Sequence, residues 1–282
     1  MTQRETEIKK TDRAWSKLYD RLEREGQFAA ISRRSFLRPA AWKGASVVAA
    51  VIALCVYLSV AYLSPGESQQ PQQLCMQQNL EKTTLVTTLE DGSVVYLAGE
   101  TSLQYPEHFA TDSREVSLSG SALFDVTGNR SRPFLIETEE VRIEVLGTAF
   151  DVRSNGSAPF ELSVQRGEVK VTLKKSGHDI HVKAGETVKL LSQQFQLSAT
   201  ANPRQFDRYT ASMRFKDERL ANILRVINRQ EEDVHLQTSP ALGERMLTVT
   251  FSNNSPEAMA ELICLALNLK CTNQKGILML SE

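Results

Sequence analysis

Few positions in this 282-residue chain, with its four histidines and four cysteines, could do chemistry. His178 and His181 stand three apart in a strand-like stretch, so they face opposite sides and cannot hold one metal ion together. His108 and His235 are isolated. Cys55, Cys75, Cys264 and Cys271 form no C-x-x-C, which removes the zinc-ribbon and thioredoxin-like readings. Cys264 and Cys271 either bridge in an oxidising compartment or act as two small buried hydrophobes. No G-x-S-x-G, H-E-x-x-H or phosphate-binding loop occurs. The adjacent carboxylates Glu139-Glu140 and Glu231-Glu232-Asp233 read as solvated turns or helix ends. The expectation is therefore no metal, no cofactor and no catalysis on a separate substrate.

The Gly147–Thr148 bond is a candidate for a reaction on the chain itself. Glycine offers no side chain to obstruct attack on its carbonyl, and the Thr148 hydroxyl lies one residue beyond it. In a strained backbone that hydroxyl can displace the amide nitrogen, giving an ester that water opens; such N–O acyl shifts need strain and an activating base. No base is evident from the sequence. The alternative is ordinary: Gly147 permits a bulge or a close strand approach, and Thr148 is a β-branched strand residue.

The elements that must position these residues fall into unlike segments. With 33 basic and 34 acidic side chains, the chain has no cationic excess of the kind nucleic-acid binders carry. The charges are segregated, however. Residues 1–43 hold eleven Lys/Arg against six Asp/Glu, and the remainder holds 22 against 28. Between them, residues Gly44 to Leu63 carry no charge. Twenty residues at 1.5 Å each make about 30 Å of helix, enough to cross a bilayer core. A core helix rarely lacks a polar face for so long, and the 43-residue leader and absent cleavage site argue against a removed signal peptide. Ser32-Arg33-Arg34-Ser35-Phe36-Leu37-Arg38 resembles a twin-arginine signal, though the arginines also fit the cytoplasmic flank of a span. Both readings put the N-terminus in the cytoplasm and the bulk of the chain in the periplasm, in a single pass of the inner membrane.

The cytoplasmic segment 1–43 reads as one amphipathic helix over residues 5–26, with Ile8, Trp15, Leu18 and Leu22 on a shared stripe. A lone helix buries nothing, so the stripe either meets a partner or remains marginal. Residues 64–82 follow as a linker rich in Gln and Pro. Residues 83–195 hold about ten short alternating runs parted by glycine turns, and nine of the chain's fourteen glycines fall here. That spacing predicts an all-β sandwich or solenoid and excludes a Rossmann or TIM architecture. A second linker, 196–210, leads to a small α+β domain over 211–282 with the order βαββαβ. Within it Ser255 caps a helix opened by Pro256, and strands at 245–251 and 277–280 are candidate free edges.

Seven pieces of the 83–195 stretch carry a resemblance. They are Leu89-Glu90-Asp91-Gly92-Ser93 with Val95-Tyr96-Leu97; Leu103-Gln104-Tyr105-Pro106; Val116-Ser117-Leu118-Ser119-Gly120; and Ala122-Leu123-Phe124-Asp125-Val126. Then come Arg132-Pro133-Phe134, Val145-Leu146-Gly147-Thr148-Ala149-Phe150-Asp151-Val152 and Gln165-Arg166-Gly167-Glu168-Val169. In this order they resemble the FecR family of membrane-spanning anti-sigma regulators. The tail, with Phe215-Lys216-Asp217-Glu218-Arg219-Leu220 and Ser255-Pro256-Glu257-Ala258, is similar to the short N-terminal domain of secretins and TonB-dependent receptors. The resemblance implies an extracytoplasmic-function sigma factor held at the cytoplasmic end through Ile8, Trp15, Leu18 and Leu22. It also implies a signal received from the signalling domain of an outer-membrane TonB-dependent transporter, and processing at a Gly-Thr bond in some members. The chain departs from the family at Ser121 and Leu123, and its cytoplasmic end is short. A membrane-tethered scaffold without sigma-factor binding is the other reading.

The topology makes one expectation testable on its own. A cysteine placed at Gly26 should be protected from a membrane-impermeant label in intact cells, and one at Ser68 should react; the reverse pattern would overturn the assignment.

Overall fold

In the computed structural model the described residues are 54–55, 73–156, 158–230, 234–274 and 276–282. Apart from Leu54 and Cys55, the 44–63 run lies outside them, as do residues 1–43. No helix among the described residues is long and apolar enough to cross a membrane. Residues 1–69 and 70–282 divide into two units, and the second holds the sheets and the helices that cover them.

Its strands begin earlier than the composition predicts. Strand β1 (Leu74–Asn79) lies inside the stretch expected to be linker, and is followed by β2 (Thr84–Thr88), β3 (Val94–Leu97) and β4 (Thr101–Pro106). Next come the long β5 (Arg114–Asp125), β6 (Phe134–Glu137), β7 (Val141–Val145), β8 (Ala149–Ser154) and β9 (Glu161–Arg166). The run closes with β10 (Glu168–Leu173), β11 (Asp179–Lys183), β12 (Glu186–Leu191) and β13 (Gln194–Ala199). A 3-10 helix, Pro203–Tyr209, leads to β14 (Ser212–Arg219) and helix α1 (Leu220–Gln230). After β15 (His235–Thr238), α2 (Pro240–Gly243) and β16 (Met246–Ser252), the chain ends in α3 (Pro256–Leu267), β17 (Lys270–Gln274) and β18 (Ile277–Ser281).

Two sheets form a sandwich, and β5 belongs to both. Its first half pairs with β4 and, in parallel, with β6; its second half pairs with β3 and β8. Gly120 sits at the changeover with φ +115, and a Cβ there would lie 2.7 Å from the Thr101 backbone. Only glycine allows the two strands to approach so closely. Even-numbered side chains of β5 point into the space between the sheets, where Val116, Leu118, Ala122 and Phe124 join one apolar core. Phe124 stacks on Phe150 at 5.5 Å and meets Phe134 edge-on at 6.3 Å, binding the sheets together. The 83–195 stretch is a sandwich with an interior filled by both sheets.

The second sheet also has its outer face covered. Val86, Val94, Tyr96 and Leu123 point away from the sandwich core and pack with Phe215, Ile223, Ile227 and Phe251 of the C-terminal elements. Strand β14 adds to the sheet beside β2 in parallel register, Met213 opposite Thr84, and β16 follows it at the margin. The segment expected as linker 196–210 holds the end of β13 and the 3-10 helix, whose Phe206 and Tyr209 are buried. The α+β elements are present in the expected order, with one addition. Helix α2 opens on Ser239-Pro240, the same start signal as Ser255-Pro256. The three-stranded sheet runs β15-β18-β17, so β18 is internal and not the free edge expected there, because β15 and β17 occupy both of its sides.

One buried ion pair anchors the turns of the sandwich. The Arg114 side chain is 1% exposed and Asp91 8%. Arg114 Nη1 donates to Asp91 Oδ2 at 2.6 Å and to the Thr127 carbonyl at 2.9 Å, and its Nε donates to the Arg132 carbonyl. Its guanidinium lies 5.4 Å from the Phe134 ring centre. In the sequence, Asp91 reads only as a turn residue. Removing one partner of such a pair strands the other charge, so Arg114→Met should lower stability by about 3–5 kcal/mol. Arg142→Ala, which breaks the exposed pair with Glu137, should cost less than about 1 kcal/mol. Urea denaturation of the two variants checks the contrast.

Candidate functional site

Of the residues singled out in the sequence, Ile8, Trp15, Leu18 and Leu22 (the expected sigma-factor contact) lie outside the described residues. So do Gly44 and Leu63, the expected bounds of the span. Gly147 and Thr148 lie within them, in the turn between β7 and β8. The turn is held by backbone bonds to its neighbour: Asn129 N–H donates to the Leu146 carbonyl at 2.7 Å, and Val126 N–H to the Thr148 carbonyl at 2.9 Å.

Two other glycines crowd the same peptide bond. A Cβ on Gly147 would stand 2.6 Å from Gly128 Cα. A Cβ on Gly167, where φ is +88, would stand 2.5 Å from Thr148 Cγ2 and 3.2 Å from the Gly147 carbonyl oxygen. Gly147 and Gly167 thus let three segments converge on Gly147–Thr148, which accounts for glycine at these two positions whether or not any bond is cut; a Cβ on Gly128 would meet open space. Their convergence was not visible in the sequence, because Gly128 and Gly167 lie some twenty residues away on either side.

Thr148 is 2% exposed, and its hydroxyl has no hydrogen-bond partner among the described residues. It lines an open cavity of about 630 Å³ together with Arg130, Glu144, Glu168, Lys170 and His181. His181 Nδ1 and Glu168 Oε1 are 2.8 Å apart, a His–carboxylate pair on the adjoining strands β10 and β11. The cavity is therefore lined on one side by Thr148, whose hydroxyl is itself buried, and on another by the His181–Glu168 pair. No base is bonded to the hydroxyl itself. His181 does not share a metal site: among the described residues no group of three or more His, Cys, Asp or Glu side chains gathers as metal ligands.

A second polar cluster, unrecognised in the sequence, ties the two parts of the unit together. Asp151 on β8 is 2% exposed and accepts bonds from the Tyr209 hydroxyl and from Arg208 Nη2 at 2.9 Å. Burial pushes the Asp151 carboxyl up, against the lowering pull of the Arg208 charge and the Tyr209 bond. A further joint is made by Arg229 at the end of α1, which reaches Asp125 Oδ2 at 3.2 Å and the Gly92 carbonyl at 3.0 Å. Beneath it, burial pushes the Tyr96 phenol up to about 12. At the margin, β16 pairs only with β14 among the described residues and presents its other side, with Met246 55% exposed. This is one of the two edges expected from the sequence.

With the geometry in place, comparison with known proteins adds one domain-level result. Residues 81–201 match the family described as FecR protein, so the sandwich is a FecR domain. No curated protein matches the chain. Two crystal structures of a candidate anti-sigma factor from Parabacteroides distasonis ATCC 8503 are similar to it, each at 20% identity. Each comparison covers 74% of this chain and 99% of that one, with a TM-score of 0.46.

The crowding predicts opposite outcomes for adjacent substitutions. Gly147→Ala should cost about 1–3 kcal/mol by overpacking against Gly128. Thr148→Val removes an unpartnered buried hydroxyl at nearly constant shape and should be neutral or stabilising by up to about 1 kcal/mol. Urea midpoints separate the two. Intact-mass analysis of the wild type in the same series shows whether a fragment starting at Thr148 accumulates and is absent in Thr148→Val.

Proposed function

We propose that this chain is a membrane-spanning anti-sigma regulator, because residues 81–201 form a FecR domain. In this reading the FecR domain and the elements fused to it stand in the periplasm. The uncharged run 44–63 crosses the inner membrane, and the Ile8/Trp15/Leu18/Leu22 stripe holds an extracytoplasmic-function sigma factor in the cytoplasm. The signal arrives from the signalling domain of an outer-membrane TonB-dependent transporter. The free edge of β16 supports a receiving mode in which a strand of that partner is added to the sheet. The Gly147–Thr148 turn belongs to this proposal as a site of self-processing, with Thr148 attacking the Gly147 carbonyl and water opening the resulting ester. Its support is the buried Thr148 hydroxyl, without a hydrogen-bond partner among the described residues, one residue beyond the crowded Gly147 carbonyl.

Deleting the C-terminal elements is a poor test, since it would expose Val86, Val94 and Tyr96 to water. Point variants are cleaner. Full-length protein should co-purify an extracytoplasmic-function sigma factor from its own cells. Trp15→Ala should weaken that capture by a factor of about 30, the effect of losing an anchor worth about 2 kcal/mol. Met246→Lys with Thr250→Lys, both exposed on the free edge, should leave the thermal midpoint unchanged and abolish induction of a sigma-dependent reporter. Failure of the wild type to bind any sigma factor would favour the tethered-scaffold reading. Normal induction in the β16 variant would move the receiving surface elsewhere.

A further inference from the structure

The C-terminal elements contain a pair of cysteines that neither the FecR domain nor the proposed relay uses. Cys264 is buried one turn before the end of α3, and Cys271 is half-buried on β17. Asn268 takes the left-handed conformation, φ 53 and ψ 49, and ends the helix. The Leu269 N–H then bonds back to the Cys264 carbonyl at 2.8 Å, which folds the chain tightly from α3 into β17. Cys271 stands directly opposite Leu280 in the antiparallel register, so the two share a face. Leu280 is 1% exposed and belongs to the same apolar cluster as Cys264, with Cys271 packed against it. Burial first, and the neighbouring Cys271 second, push the Cys264 thiol up to about 12.

We propose that Cys264 and Cys271 are a disulfide-forming pair, oxidised by thiol–disulfide exchange with an external disulfide, and that the bond staples α3 to the three-stranded sheet. The more accessible Cys271 thiolate attacks one sulfur of the external disulfide, releasing one thiolate and forming a mixed disulfide. The Cys264 thiolate then attacks the Cys271 sulfur, closing the ring and releasing the second thiol. Two electrons and two protons leave the cysteine pair and reduce one external disulfide to two thiols. The high thiol pKa at Cys264 makes it a poor first nucleophile, whereas after the first exchange it is held beside its target. The proposal rests on the periplasmic reading only for the source of oxidant in the cell; the pair itself is tested in vitro.

The test uses the full-length chain with Cys55→Ser and Cys75→Ser, so that only the pair remains, incubated folded with glutathione disulfide. The expected product is two hydrogens lighter with no glutathione attached. Its thermal midpoint should exceed that of the reduced protein by about 5 °C, as a staple over a short loop gives in a domain of this size. Cys271→Ala and Cys264→Ala should each lose both the mass change and the midpoint shift. A lasting glutathione adduct without ring closure, an oxidised product with an unchanged or lowered midpoint, or oxidation only after unfolding would each overturn the proposal.

Discussion

Val94, Val95, Tyr96 and Leu97 are all buried, but against two different cores. Val95 and Leu97 face the sandwich; Val94 and Tyr96 face the C-terminal helices. A strand apolar on both faces is stable only when both are covered, and this single requirement makes the rest of the architecture necessary. The sandwich cannot present this sheet to water without exposing the Tyr96 ring. Phe215 and Ile223, in turn, bury themselves in the cluster that this outer face completes. The family match ends at residue 201, but the physical unit does not.

The polar contacts across the join follow from the same constraint. The connecting segment carries Phe206 and Tyr209 into the shared core, and a hydroxyl brought that deep needs an acceptor. Asp151 supplies it, and Arg208 neutralises the carboxylate that results. Arg229 performs a similar task at the C-terminal end of α1, bonding the β2–β3 turn. What looks in sequence like a spacer is a set of fixed joints.

The sequence revealed the parts of this structure that depend on near neighbours. Alternating runs and glycine turns located most strands, and Ser255-Pro256 located α3. Strand β1 was hidden by glutamines, whose side chains reveal nothing about backbone pairing; Asn79, bonded to the Leu97 and Ala98 carbonyls, does the anchoring there. The 3-10 helix was hidden by its polar residues, although Phe206 and Tyr209, three apart, carry a signal of one apolar side. At the Gly147–Thr148 turn, periodicity identified the strands but not the crowding, because that depends on Gly128 and Gly167, which reach the turn only through tertiary structure. The unpartnered Thr148 hydroxyl could not be read at all without knowing what surrounds it.

The pairing of β2 with β14 has a further consequence during synthesis. Thr88 N–H bonds the Glu218 carboxylate, 130 positions further along the chain, so the oldest strands wait for some of the newest. A ribosome adding about 5–20 residues per second completes the sandwich while residues 213–282 are still unmade. For several seconds Val86, Val94, Tyr96 and Leu123 form an apolar window on an otherwise finished body. The aggregation hazard of the nascent chain is therefore greatest between completion of β13 and the arrival of the C-terminal elements that cover this window.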